Sequence, residues 1–133
     1  MASVVALVAC SGGEPPGPEE VVRAWSRALN SGDNGAAADL FAIGARIEQS
    51  GLELTVRTRA DALAWNRSLP CSGRIVEIET SGEDATATFL LGNRGTSRCD
   101  APGGRVAAVF RVQEGKIVLF RQLPDETAPL DPV

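Results

Sequence analysis

Val109-Phe110-Arg111-Val112-Gln113-Glu114-Gly115-Lys116-Ile117-Val118-Leu119-Phe120-Arg121-Gln122-Leu123 is the stretch on which the fold turns. Two runs rich in β-formers flank an acidic residue and a glycine, and a tight hairpin turn needs the positive φ that glycine adopts freely. The pattern predicts strands over 105–112 and 116–123. Pairing about Glu114-Gly115 then puts Val109, Arg111, Val118, Phe120 and Gln122 on one face. Phe110, Val112, Ile117, Leu119 and Leu123 take the other. Apolar side chains on both faces mean that both are covered, one by helices and the other by a second subunit, a loop or the N-terminal segment.

Upstream, 86–91 is rich in β-formers and 74–79 alternates, with Ser81-Gly82 as a turn between them. A polar loop over 92–104 separates this pair from the closing hairpin. Further upstream the periodicity becomes helical. Pro18-Glu19-Glu20 suits a helix start, Val22, Trp25 and Leu29 recur on one face, and Asn30-Ser31-Gly32 ends it. Asp33 or Asn34 caps a short second helix carrying Ala37, Leu40 and Phe41. Thr58 and Asp61 form a near capping box for a third helix that buries Ala62, Trp65 and Leu69 and stops at Pro70. Two short strands, 45–49 and 52–57, lie between the second and third helices. This order predicts an α+β fold: three N-terminal helices packed on a curved, mainly antiparallel sheet.

The three cysteines divide by environment. Cys10 closes Leu7-Val8-Ala9-Cys10 after a short uncharged apolar run, which resembles a bacterial lipobox. The segment from Ser11 to Pro18 is rich in glycine and proline and reads as a flexible tether. Residues 1–17 are thus expected to be a leader remnant and tether, 18–125 one domain, and 126–133 a tail. The expected location is extracytoplasmic, anchored to the cell membrane through lipidated Cys10. In that compartment Cys71 and Cys99 read as a disulfide worth about 3.5 kcal/mol in the chain-entropy picture. The alternative is two separate buried thiols. Metal and cofactor binding are not expected, since the chain has no histidine and no CxxC spacing. A net charge of −4 without basic clusters also argues against nucleic acid.

The helix Glu20-Val21-Val22-Arg23-Ala24-Trp25-Ser26-Arg27-Ala28-Leu29 with its Asn30-Ser31-Gly32-Asp33 link, together with the closing hairpin, is similar to the nuclear transport factor 2-like superfamily. Within it, the chain resembles the SnoaL-like group over residues 18–125. The resemblance implies a cone whose sheet and helices enclose one apolar pocket, commonly in a homodimer.

The missing residue types bear on chemistry. Without histidine there is no Ser-His-Asp or Cys-His pair, and SnoaL-like cyclases use a His/Asp arrangement. Tyrosine is absent too, which removes the oxyanion hole of ketosteroid isomerases. The limonene-epoxide-hydrolase type combines Asp and Arg. Against that pattern Arg94 matches the Arg, but Thr96 and Gln122 stand where carboxylates are expected. Glu48, Glu53, Asp61, Glu77, Glu79 and Asp125 are other carboxylates, each with a plain role in capping or solvation. The reading leans away from an enzyme and toward a domain binding a small apolar or amphipathic ligand, or a protein partner. A hydrolase- or isomerase-like enzyme using carboxylate and Arg groups is the alternative. Candidate pocket residues are Trp25, Phe41, Trp65 and Arg94, with Val109, Arg111, Phe120 and Gln122 from the hairpin.

Overall fold

A computed structural model describes residues 14–95 and 97–124; Cys10, Thr96, Asp125 and the C-terminal tail lie outside them. The elements run α1 (Pro18–Asn30), α2 (Asn34–Asp39), β1 (Phe41–Gln49), β2 (Leu52–Thr55), α3 (Arg59–Ser68), β3 (Cys71–Ser81), β4 (Asp84–Asn93), β5 (Arg105–Gln113) and β6 (Lys116–Gln122). Six strands form one sheet in the order β2-β1-β6-β5-β4-β3, with the helices packed on one side. Only the β1–β6 pairing is parallel; the other four are antiparallel. The α+β expectation holds. No described helix is long and apolar enough to cross a membrane.

The local signals act as chemistry requires. Pro18 opens α1 without losing a bond, since the first N–H groups of a helix have no partner within it. The buried stripe of α1 is Val21, Val22, Trp25, Ser26 and Leu29. Asp33 caps α2 by accepting from Ala36 N at 2.9 Å. Thr58 and Asp61 complete a reciprocal capping box on α3, and Asp61 also accepts from Arg57 N at 2.9 Å. Phe41, expected on the second helix, instead opens β1. The chain leaves α2 to pair with β6, where Ile117 N donates to Leu40 O at 2.8 Å, so a tertiary hydrogen bond decides the boundary.

The closing hairpin forms as read, with Glu114 at φ 53° and Gly115 at φ 77°. Its faces do not. Val112 pairs with Ile117, but Arg111 pairs with Leu119, leaving Val118 as a bulge. One extra residue reverses the face of everything beyond it. The inner face carries Ala108, Phe110, Val112, Ile117, Phe120 and Gln122, while Val109, Arg111, Leu119 and Arg121 lie on the outer face.

The core is aromatic at its centre. Trp25 stacks on Trp65 with ring centroids 6.3 Å apart and lies 5.3 Å from Phe110. Phe120 contacts Trp65 at 4.9 Å and Phe110 at 5.1 Å in edge-to-face geometry. Each such pair adds about 1 kcal/mol to the burial of its apolar area.

The run before α1 was expected to be a tether. Its last residues lie beside the β5–β6 turn: a Cβ on Gly115 would sit 3.1 Å from Pro16 Cδ and 3.4 Å from Pro15 Cβ.

Candidate binding pocket

The strand directions put the ends of β1, β4 and β6 and the starts of β3 and β5 at one end of the sheet. The hairpin turns at Gly82 and Gly115 lie at the other. At the first end a pocket of about 540 Å³, partly open to solvent, lies between α1 and the sheet. That volume suits a small-molecule site, for which roughly 300–1,000 Å³ is usual. Trp25 and Leu29 of α1 face Phe89, Leu91, Ala108 and Phe120 of the sheet across it. The mouth is bordered by Ser50, Leu52, Cys71, Asp100 and Ala101.

Polar groups around the pocket are mostly committed. Trp25 Nε1 donates to Asn66 Oδ1 at 2.8 Å, and Asn66, wholly buried, donates through Nδ2 to Ala62 O at 2.8 Å. Trp25 therefore shows the pocket an apolar ring and keeps its donor in the core. Trp65 Nε1 donates to Gln49 Oε1 at 3.1 Å. The start of β3 is clamped from α1: Ser26 Oγ and Asn30 Nδ2 both donate to Gly73 O, and Asn30 Oδ1 accepts from Gly73 N at 2.9 Å. Glycine at 73 also leaves room for the neighbouring ring: a Cβ there would meet Phe89 Cδ1 at 3.0 Å and require Phe89 to shift.

Cys71 and Cys99 are joined as a disulfide, with Cα atoms 4.4 Å apart. From sequence the bridge reads as a staple remote from any site. The structure places Cys71 on the pocket wall and Asp100, next to Cys99, at the mouth, so the staple fixes the entrance. Asp100 lies close to both sulfurs, but their thiols are consumed in the bridge, so the three do not form a metal-ligand set.

Of the eight predicted pocket residues, Trp25, Phe120 and Gln122 line the cavity. Phe41 and Trp65 are one layer behind, packed against each other at 5.7 Å in the core. Val109 and Arg111 are on the outer face because of the Val118 bulge. There Arg111 Nε donates to Asp84 Oδ1 at 2.9 Å, and the guanidinium holds the Asp84 carboxyl below the usual carboxylate range. Asp84 in turn raises Arg111.

Arg94 is buried but does not line the cavity. Its Nη1 donates at 2.8 Å to both Asn66 O and Leu69 O, and its Nη2 donates to Asn34 Oδ1. The side chain thus ties the C-terminal carbonyls of α3, the negative end of the helix dipole, to the start of α2. Burial lowers the Arg94 pKa, and among the described residues its Nε has no hydrogen-bond partner.

The described candidate carboxylates are placed away from the cavity as well. Glu48 is held below its usual range by the Arg121 guanidinium, with Arg46 beside it. Glu53 pairs with Arg46 across β1–β2 and Asp61 is spent on the capping box. Glu77 and Glu79 are exposed on β3. Asp100, exposed at the mouth, is the one ionisable side chain among the described lining residues. Those residues otherwise offer shape, apolar surface and two half-buried carboxamides, Gln49 and Gln122.

Sequence reasoning missed Leu29 and Phe89 as wall residues and Gln49 as a polar one. Leu29 and Phe89 looked like ordinary core, and they are buried; only the structure shows that they also border the cavity. Gln49 carried a usable signal, a lone amide two residues beyond Ile47 on the inward side of a strand.

Residues 22–120 match the family model of the SnoaL-like domain. Among curated proteins none matches the chain. Solved structures of similar fold include a putative polyketide cyclase from Sinorhizobium meliloti, at 16% identity and TM-score 0.64, covering 78% of this chain and 94% of that one. Another is an NTF2-like protein of unknown function from Cytophaga hutchinsonii, at 9% identity and TM-score 0.69, covering 85% and 93%. A third is a protein of ketosteroid isomerase-like fold from Catenulispora acidiphila, in complex with trimethylamine, at 18% identity and TM-score 0.66, covering 84% and 89%. At these identities the likeness is one of fold.

Proposed function

This chain belongs to the SnoaL-like domain family, and from that premise we propose that it binds a small apolar or amphipathic molecule in its cone without transforming it. The observation that carries the reading is the make-up of the cavity. Its deep wall is aromatic and aliphatic, both tryptophan N–H groups are already bonded within the protein, and the one ionisable group among the described lining residues stands at the mouth. A general base has to lie within hydrogen-bond reach of the proton it removes, and among the described residues the deep wall holds no such group. Titration of the protein with a panel of terpenes and fatty acids, read by tryptophan fluorescence and thermal shift, tests this. Saturable quenching with a raised Tm is expected; no response to any member of the panel overturns it.

The enzymatic alternative, a hydrolase or isomerase, rests on Asp100 as the one carboxylate among the described residues that line the cavity. Turnover of an epoxide or a ketone that Asp100→Asn abolishes would establish it in place of the binding reading.

The setting we propose is extracytoplasmic, with Cys10 lipidated and two copies associated through the outer sheet face. The lipobox-like run and a disulfide of the kind that persists outside the reducing cytosol support the location. On the outer face Leu119 lies between Arg46 and Arg111, with the half-buried Val109 on the same face. Mass spectrometry of the full-length protein is expected to show acyl chains on Cys10. Light scattering is expected to show a dimer, and a monomer at all concentrations counts against the association.

A further inference from the structure

The Cys71–Cys99 bridge has neighbours that a disulfide does not use. Asp100 Oδ1 lies 3.5 Å from Cys71 Sγ, yet neither sulfur of a disulfide carries a proton for it to accept. Ala101 N donates to Cys99 Sγ at 3.4 Å, a bond worth more to a thiolate than to a bridged sulfur. Both cysteines are also anchored apart from the bridge, and to the same residue. Cys71 pairs with Asn93 across β3 and β4, and Cys99 N donates to Asn93 Oδ1 at 2.8 Å. Opening the bridge therefore leaves the two sulfurs close to each other and to Asp100.

The three donor atoms lie within reach of one ion. The two sulfurs and an Asp100 oxygen are all within 4.8 Å of one another. Around a zinc-type ion, sulfur sits at about 2.3 Å and oxygen at about 2.1 Å, which keeps any two ligand atoms within about 4.6 Å. Little movement of the side chains is needed to satisfy that limit.

We propose that the reduced chain holds one divalent cation of the zinc class at the pocket mouth, bound by Cys71, Cys99 and Asp100. A dithiol reductant supplies two electrons and two protons: the S–S bond breaks, two thiols form, and the reductant closes its own disulfide. Metal binding then releases both thiol protons to solvent, leaving two thiolates and a carboxylate around the ion. Thiolate ligands select zinc-like ions over magnesium and calcium, which take oxygen. Three protein ligands leave a fourth position open. Cys71 and Asp100 both border the cavity, so that position is available to a donor atom of a molecule in the pocket. The same cysteines thus serve two states of the mouth, a covalent staple when oxidised and a metal centre when reduced. The site needs no ligand in the cone, so it stands or falls apart from the binding reading given above.

The test uses the full chain carrying Cys10→Ser, in which Cys71 and Cys99 are the only cysteines. The chain is reduced with a phosphine, freed of it in the absence of oxygen, and titrated with Co²⁺, whose absorption reports its ligands. Binding of one Co²⁺ per chain is expected, with sulfur-to-cobalt charge transfer and the intense visible bands of a tetrahedral ion. The oxidised chain is expected to show neither. Asp100→Asn changes an exposed side chain and is expected to weaken Co²⁺ about 10-fold or more. Cys71→Ser is expected to weaken it further. Equal affinity in Asp100→Asn overturns the three-ligand site, and binding by the oxidised chain overturns the need for thiols. Where reduction unfolds the chain, Zn²⁺ is expected to restore the circular dichroism of the oxidised form. A reduced chain that neither binds Co²⁺ nor recovers its fold with Zn²⁺ overturns the proposal.

Discussion

The two ends of the cone are held together by different means. At the closed end, tight turns and backbone hydrogen bonds bring neighbouring segments together: Val112 N donates to Glu83 O at 2.9 Å, and Ile117 N donates to Leu40 O at 2.8 Å. Between them the space is filled by residues such as Phe110, Ile117 and Val21, all essentially without exposure. At the open end the cavity lies between α1 and the sheet, so part of the interior there is not filled by side chains. There the structure uses discrete ties: the Cys71–Cys99 bridge, the Asn30 clamp on Gly73, the Arg94 fork beneath α3 and the Trp65–Gln49 bond. The contrast teaches that a cavity removes burial as a source of stability, so the walls around it depend on cross-links.

The largest way to break this contrast lies at the closed end. Phe110→Ala is expected to lose about 4 kcal/mol of unfolding free energy in denaturant titration, from lost burial and the cavity left behind. Removing the disulfide with Cys71→Ser and Cys99→Ser is expected to lose about 3.5 kcal/mol. The double variant is further expected to bind ligand more weakly than its folded fraction explains, because the mouth is no longer fixed. A binding loss that only tracks unfolding would erase the distinction between the ends. Arg94→Met is expected to cost about 2 kcal/mol, since the α3 carbonyls lose their donor in a buried setting. Lysine at 94, which supplies one donor group without the fork, is expected to recover only part of it.

The smallest effect belongs to neither end. Arg111 and Asp84 meet on the outer face in solvent, and Arg111→Ala is expected to move Tm by little more than the error of measurement. Its pH dependence has a definite sign. The Asp84 pKa is depressed in the folded protein by Arg111, so the pair contributes above the unfolded carboxyl's pKa, about 4. It is lost as pH falls from there through the lowered folded value. The Tm difference between wild type and Arg111→Ala should therefore be present at pH 7 and vanish in acid. A difference that grows in acid would show that the pair acts otherwise.

Much of the fold was legible because its signals are local. Pro18, the Thr58–Asp61 box and Glu114-Gly115 each specify backbone geometry within a few residues, and all three lie where the pattern placed them. The pairing of Cys71 with Cys99 follows from counting once Cys10 is set apart. The candidate site was read less well for a reason that can be named. Alternation along β6 carries no mark of the Val118 bulge, which is decided by how β6 accommodates β5 on one side and β1 on the other. Without the bulge Arg111 belongs to the pocket; with it, Arg111 belongs to the outer face. Arg94 misled differently, since it matched the Arg of the limonene-epoxide-hydrolase pattern and only the structure shows its donors turned to the end of α3.

The contact of Pro15 and Pro16 with the turn at Gly115 also sets a direction. The chain enters the domain at the hairpin tips, the end farthest along the strands from the pocket mouth. Cys10 lies five positions before Pro15, a reach of about 17 Å even when fully extended. An acylated Cys10 would therefore hold the hairpin tips toward the lipid headgroups and turn the mouth outward. The ligand would then arrive from the aqueous side, delivered by diffusion or by another protein, and would not be drawn directly out of the bilayer.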